Sequence, residues 1–345
     1  MNRFFRRPHI EGQPDSADGQ TSKFKPATPP VSRSGNGTAT DGATGAAIMV
    51  PCPHCHTALY VRELEDNLHV CPKCGTHLRL GARTRIAATL DPDSFVEWDA
   101  DVRSVDALQF AVGTHVYAEK LATAQAKTGE ADALITGGGA IAGEACVVAV
   151  ADFAFMGASM GSVYGEKLVR AAERAKRERL PLVTFNTSGG ARMQEGLFSL
   201  MQMAKTTAAI VALGAAGLPH IAVLTDPCYG GVTASYATVA DVILAEPGAR
   251  IGFAGKDRIA QIMRTKLPED SQTAEFQLVH GMVDAVVPRR ELRQTLATLL
   301  ALYRPPAPPP PTNAEHFDAE RNPAHDTAPH AAPHETGRIP APAHR

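Results

Sequence analysis

Residues 180–192 read LPLVTFNTSGGAR, and residues 218–231 read LPHIAVLTDPCYGG. Each stretch opens on Leu-Pro, runs through a short apolar segment and reaches a Gly-Gly pair, Gly189-Gly190 in the first and Gly230-Gly231 in the second. A short apolar run between Pro and Gly reads as a buried strand. A helical pattern follows each pair. Leu197, Leu200, Met201, Ala204, Ala208 and Val211 recur at helical spacing and mark a long core helix after the first, and residues 234–239 read as a helix after the second. This recurrence predicts an α/β body of stacked β-β-α units. Adjacent glycines before a helix also leave backbone N–H groups unshielded, at the positive end of the helix dipole. Such a turn suits an oxyanion, either an enolate or a tetrahedral intermediate. It equally suits a tight turn that needs positive φ.

Outward from these units, residues 133–136 and 146–153 read as strands around a glycine turn at Gly137-Gly138-Gly139. Residues 163–178 read as a helix with Ser162 as its N-cap and Glu173/Arg177 at i,i+4. Further strands are expected at 182–185, 221–224, 242–244 and 250–253.

The chain has 345 residues, a soft prior of about two domains. Its 44% hydrophobic content excludes a wholly disordered chain. The 34 basic and 36 acidic side chains argue against bulk binding to nucleic acid or an anionic membrane. No apolar run of about 18 residues is present, so no membrane span is expected. Arg6-Arg7 is not followed by the apolar segment of an export signal, and a cytoplasmic address is expected. Residues 1–48 are rich in Gly, Ser, Thr and Pro and read as a disordered extension; 304–345 read as a Pro-rich disordered tail. Between them lie a ribbon at 49–80 and a segment at 81–303, whose α/β body starts near 105.

Four of the six cysteines, Cys52, Cys55, Cys71 and Cys74, form a C-x2-C-x15-C-x2-C pattern. This is zinc-ribbon spacing: each knuckle aims two sulfurs at one ion, and two knuckles close a tetrahedral site. Four thiolates leave no open position, so one structural Zn2+ per chain is expected. His54, His56, His69 and His77 read as bystanders; Cys146 and Cys228 read as small buried residues.

Other motifs compete with the glycine turns. Gly137 to Ala142 fits G-x-G-x-x-A, but a strand rather than a helix follows, so the dinucleotide context fails. Gly157 to Gly161 fits G-x-S-x-G around Ser159, with Asp226 and His280 in hydrolase order. This makes a serine hydrolase the rival enzyme class. The ribbon also raises nucleic-acid binding, with Arg62, Lys73, Arg79, Arg83 and Arg85 as phosphate contacts.

In combination, the ribbon CPHCHTALYVRELEDNLHVCPKCGTHLRL and the segments ADFAFMGASMGSV, SGGARMQEGLFSLMQMAKT, LTDPCYGGVTASYA, ILAEPGARIGFAG and KLPED…AEFQLVHGMVDAVVPR resemble the β subunit of bacterial acetyl-CoA carboxylase carboxyltransferase. The resemblance runs from about residue 50 to 303. It implies a crotonase-like ββα superhelix over 81–303 behind an N-terminal four-Cys zinc ribbon. It also implies carboxyl transfer from carboxybiotin, on a separate carrier protein, to acetyl-CoA, giving malonyl-CoA in the first committed step of fatty acid synthesis. The implied partners are a carboxyltransferase α subunit in an α2β2 heterotetramer, the biotin carboxyl carrier protein and an ATP-using biotin carboxylase. By resemblance and geometry the backbone N–H groups of Gly189, Gly190, Gly230 and Gly231 are the expected oxyanion donors. Arg192, Lys256 and Arg258 are candidates for the coenzyme A phosphates by position. The ribbon either covers one side of the CoA cleft or rigidifies the fold. One departure is Cys228-Tyr229, where the family pattern expects Thr-Met.

Overall fold

The computed structural model describes residues 48–303. The expected disordered segments 1–48 and 304–345 lie, but for Ile48, outside the described residues. The ribbon comprises β1 (Met49–Pro51), β2 (Ala58–Tyr60) and α1 (Val61–Asp66). β1 and β2 pair antiparallel, and Val70 bridges His77 in the second knuckle. Its apolar centre is only Cys52, Leu59, Leu64 and Cys71. A core that small needs a metal staple.

Next come α2 (Ala82–Thr89), β3 (Val96–Trp98), the short pair β4 (Ala111–Val112) and β5 (His115–Val116), and α3 (Tyr117–Thr128). β6 (Leu134–Ile141) and β7 (Glu144–Ala151) form a hairpin, followed by α4 (Ser162–Glu178), β8 (Leu182–Ser188), α5 (Leu197–Ala215) and β9 (His220–Tyr229). The chain then forms β10 (Val242–Ala245), β11 (Ile251–Gly252), α6 (Lys256–Met263), α7 (Ala274–Val279), β12 (Ala285–Val286) and α8 (Arg289–Leu302).

One mixed sheet runs β12-β10-β9-β8-β7-β6-β3, with β11 paired to the far end of β9. β7, β8, β9, β10 and β12 are mutually parallel, with α4 and α5 as crossovers between β7, β8 and β9. Both sheet faces are buried, which explains the nearly unbroken apolar runs. Along β7, Val147, Ala149 and Ala151 face the α3/α4 layer, while Cys146, Val148 and Val150 face α2 and α8.

The fold departs from the sequence reading at five places. Gly137, Gly138 and Gly139 lie inside β6, and the hairpin turns at Ala142-Gly143, both at positive φ (51° and 84°). The glycines are there because β3 and its approach cross them: a Cβ would come within 2.4 Å of Phe95 at Gly137 and 2.8 Å of Trp98 at Gly138. Ser162 is the first residue of α4 and Gly161 its N-cap. The Ser162 N–H and hydroxyl both donate to Glu195 Oε2 (2.6 and 2.7 Å), so a carboxylate from a later loop caps the helix. Arg177 pairs with Glu178 rather than Glu173. Residues 234–239 contain only a single 3₁₀ turn, Tyr236–Val239.

The largest departure is α5. All six residues of its apolar stripe are exposed, Leu197 at 68% and Met201 at 61%. The buried face carries Ser199, Gln202, Thr206, Ile210 and Leu213. Its polar groups bond locally: Ser199 Oγ donates to the Arg192 carbonyl, and Gln202 Nε2 to the Ser199 carbonyl at 2.9 Å. Gly165 of α4 lies so close to Gln202 that a Cβ there would collide at 2.5 Å. By length and composition α5 is the one described helix apolar enough to cross a membrane. It packs on α4, where its Lys205 pairs with Glu166.

Candidate active site and metal centre

The four ribbon sulfurs lie within 4.8 Å of one another. Cys52–Cys74 and Cys55–Cys71 are 3.7 and 3.8 Å apart. A tetrahedron with Zn–S of about 2.3 Å requires S···S of about 3.8 Å, so the donor set fits a zinc ion. Each knuckle is a backbone turn: the N–H groups of Cys52 and Cys71 donate to the carbonyls of Thr57 and Thr76 (2.9 and 2.8 Å). The Thr76 side chain, followed by its backbone, draws the Cys74 thiol down to about 5, toward the thiolate a metal needs. All six cysteines are free of disulfides.

The ribbon is held on the body by Arg289, the first residue of α8. Its guanidinium donates to the Leu68 carbonyl at 2.7 Å, and its N–H to His77 Nε2 at 3.1 Å. The same guanidinium pairs with the buried Glu246 at 2.6 Å, and Arg85 closes on Glu246 from the other side at 2.5 Å. Burial pushes the Glu246 carboxyl up, but the two guanidiniums outweigh it and hold it at about 2.

The two Gly-Gly turns meet at the ends of β8 and β9. Gly190 (φ 122°) and Gly230 (φ 63°) stack backbone on backbone. Three of the four expected donors are engaged. Gly189 N–H donates to the Gly157 carbonyl (2.8 Å), Gly190 N–H to Ser188 Oγ (2.9 Å) and Gly230 N–H to the Gly252 carbonyl (3.2 Å). Among the described residues, the N–H groups of Gly231 and Ala191 have no intramolecular acceptor. They are neighbours: a Cβ on Gly231 would lie 3.7 Å from Ala191 N and 3.0 Å from the sulfurs of Met160 and Met203. Ala191 escaped the sequence reading because its bridge to Met160 is a tertiary contact: Met160 N–H bonds the Gly190 carbonyl and Arg192 N–H the Met160 carbonyl, which leaves the Ala191 N–H outside the pairing.

Arg192 does not stand as a phosphate ligand. It is fully buried, pairing with Asp132 at 2.7 Å and Glu195 at 3.2 Å, and donating to the Ser159 carbonyl at 2.7 Å. Burial opposes its charge, yet Asp132 more than compensates and keeps it protonated. Lys256 and Arg258 do line a common cleft of about 500 Å³ with Tyr229, Arg250 and Gln261, beside the second glycine turn. Lys256 Nζ donates to the Glu269 carbonyl at 3.0 Å, and Arg258 is exposed. Arg250, absent from the sequence reading, enters that cleft paired to Asp226 at 2.7 Å.

The rival sites are not assembled. Ser159 Oγ accepts from Arg192 Nε at 3.2 Å, Asp226 holds Arg250, and His280 stacks on Phe276 with Nδ1 at the Phe276 carbonyl. No triad connects them. In the basic set, Arg85 is buried against Glu246, Arg83 pairs with Glu97 and Glu130, and Arg79 lies 4.0 Å over the Phe153 ring.

Comparison with known proteins places this ribbon and body in a family. Residues 78–333 match the carboxyl transferase domain family, and the chain belongs to that class. Residues 50–74 match the acetyl-CoA carboxylase zinc finger domain. Within the class, the chain is a member of the family of acetyl-coenzyme A carboxylase carboxyl transferase β subunits. It is 60% identical over 257 residues to that subunit of Chloroflexus aurantiacus, covering 74% of this chain and 84% of the relative. Against the Herpetosiphon aurantiacus subunit it is 50% identical over 269 residues, 78% and 89% of the two chains. Among solved structures it is similar to transcarboxylase 12S with methylmalonyl-coenzyme A bound (TM-score 0.55, 29% identity, 64% of this chain), of which it spans only 41%. It is also similar to a Pseudomonas malonate decarboxylase hetero-tetramer in complex with malonate (TM-score 0.54, 26% identity, 72% and 92% of the two chains).

Proposed function

We propose that this chain transfers a carboxyl group to acetyl-CoA, and that the enolate oxygen formed on the way sits on the N–H groups of Ala191 and Gly231. The observation that carries this reading is the pair of free, adjacent backbone donors where the two glycine turns meet. The methyl of acetyl-CoA is a weak acid. Losing its proton places negative charge on the thioester oxygen, and fixed dipoles aimed there lower the barrier. Removing one such donor in other enzymes costs on the order of 10²–10³ in rate. Gly189, Gly190 and Gly230 shape the cradle rather than donate. Carboxybiotin, on a separate carrier protein, supplies the carboxyl group and, through its ureido group, the base. In the sum one C–N bond breaks, one C–C bond forms and the methyl proton ends on the biotin nitrogen. No side-chain base is required of this chain. Lys256 and Arg258 receive the coenzyme A phosphates at the mouth of the adjoining cleft.

The body at 81–303 is proposed as a crotonase-like ββα superhelix, its repeat carried by the two strand–turn units, with the ribbon at 49–80 holding one structural zinc. Four free ribbon thiols favour a reducing, cytoplasmic compartment. The active site is completed by a partner, the carboxyltransferase α subunit, in an α2β2 assembly supplied by a biotin carboxyl carrier protein and biotin carboxylase. The exposed apolar face of α5 begins a few residues beyond the Ala191 turn, with Leu197 68% and Leu200 51% exposed. That face is the surface proposed for the α subunit. The test is malonyl-CoA-dependent carboxylation of free biotin by the two chains together. Turnover that needs both supports the reading. Turnover by this chain alone refutes the shared site, and none from a zinc-loaded complex refutes the activity.

A further inference from the structure

We propose that Tyr236 and Asn186 are positioning residues: their buried hydrogen bond ties the two glycine turns together from beneath and sets the spacing of the Ala191 and Gly231 donors. This rests on the carboxyl-transfer reading above. Asn186 is fully buried on β8, where the pairing with β9 shifts register between Asn186 and Ser188, three residues before Gly189. Tyr236, 1% exposed, opens the 3₁₀ turn that follows Gly230-Gly231. The Tyr236 hydroxyl donates to Asn186 Oδ1 at 2.7 Å, so it accepts from the Tyr164 hydroxyl of α4 at 2.7 Å. Asn186 Nδ2 in turn donates to Thr184 Oγ1 (2.9 Å), and Thr184 Oγ1 meets His220 Nε2 at 2.9 Å.

The protons run from Tyr164 through Tyr236 to Asn186, whose Nδ2 donates to Thr184 Oγ1, and Thr184 Oγ1 shares a hydrogen bond with His220 Nε2. Complete burial keeps the His220 imidazole neutral, with its pKa at about 3. Its Nδ1 has no partner. The tie resists displacement in a low-dielectric interior, because breaking the Tyr236–Asn186 bond leaves the buried Asn186 Oδ1 without its donor. The file of hydrogen bonds joins both scaffolds of the cradle and is buried from solvent throughout. Its effect on rate is through geometry, where a misplacement of about 1 Å costs up to about 10²-fold.

The test compares Tyr236→Phe with Tyr164→Phe in the two-chain enzyme. Both remove one buried hydroxyl and keep the ring, but only Tyr236→Phe breaks the tie to Asn186. The expected result for Tyr236→Phe is a kcat lower by about 10-fold or more at little-changed KM for malonyl-CoA, with assembly and zinc content retained. Tyr164→Phe lowers Tm and leaves kcat within about two-fold of wild type. Should Tyr236→Phe fail to assemble, Asn186→Leu breaks the same tie from the other side and is expected to show the same kcat loss. Equal kcat in wild type, Tyr236→Phe and Asn186→Leu overturns the proposal alone. Absence of turnover by the wild-type assembly overturns the carboxyl-transfer reading and this proposal with it.

Discussion

A methyl group on Gly230 would lie 2.7 Å from the Cα of Gly190. The two turns, forty residues apart, are in backbone contact; a side chain on Gly230 collides with the first turn, whereas at Gly190 a Cβ would sit an ordinary 3.8 Å from Gly230 and the obstacle is φ 122°. Gly230→Ala must push the first turn away while also taking an alanine to φ 63°. Its expected outcome is a fall in kcat on the order of 10²-fold in an enzyme that still assembles. Steady-state rates of biotin carboxylation measure it; an unchanged kcat would remove these turns from the mechanism. Gly190→Val has no such collision at its Cβ but forces a β-branched residue to φ 122°, and a loss of kcat in the same direction is expected.

Arg192 gives a prediction about stability rather than binding. Arg192→Met leaves the buried carboxylates of Asp132 and Glu195 without their cation, at an expected cost of about 3–5 kcal/mol. Arg192→Lys keeps one charge but not the fork that reaches Asp132 and the Ser159 carbonyl together, and should lose less. Urea unfolding of the zinc-loaded chain reads both. A raised KM for the CoA substrate at unaltered stability would restore Arg192 as a phosphate ligand.

Glu246 makes the ribbon–body junction sensitive to acid. Its carboxyl is depressed in the folded chain, so its stabilisation is present above the unfolded value of about 4.3 and fades as pH falls toward about 2. Glu246→Gln should therefore differ most from wild type at pH 5–7, with the gap closing on the acid side of about 4. Chemical denaturation across that range is the measurement. A gap independent of pH would show that Glu246 is not ionised in the folded protein.

The exposed stripe on α5 is expected to carry assembly and not folding. Met201→Glu places a charge on a side chain 61% exposed. It should change the stability of this chain by no more than about 0.5 kcal/mol yet prevent association with the α subunit, as read by size-exclusion chromatography of the mixed chains. Retained association would place the interface elsewhere.

Read residue by residue, the four-cysteine cluster was fully legible, because Cys spacing within a knuckle is a local property of the chain. The strand–Gly-Gly units were legible for the same reason: a buried strand and a sharp turn each leave a contiguous mark in composition. Ser162 was placed one position out, since its helix is capped by Glu195, a residue 33 positions away that local reading cannot supply.

The amino-acid sequence alone marked the clustered four cysteines, the order of buried strands and the two glycine turns. Tertiary structure alone decided which N–H groups stay free, that Arg192 is an interior ion-pair partner, that the apolar side of α5 faces outward and that three strand glycines yield to Phe95, Trp98 and Leu90. The reason is physical. Spacing and periodicity report what a segment prefers on its own, whereas hydrogen-bond satisfaction, burial of charge and steric fit depend on which distant segments arrive beside it.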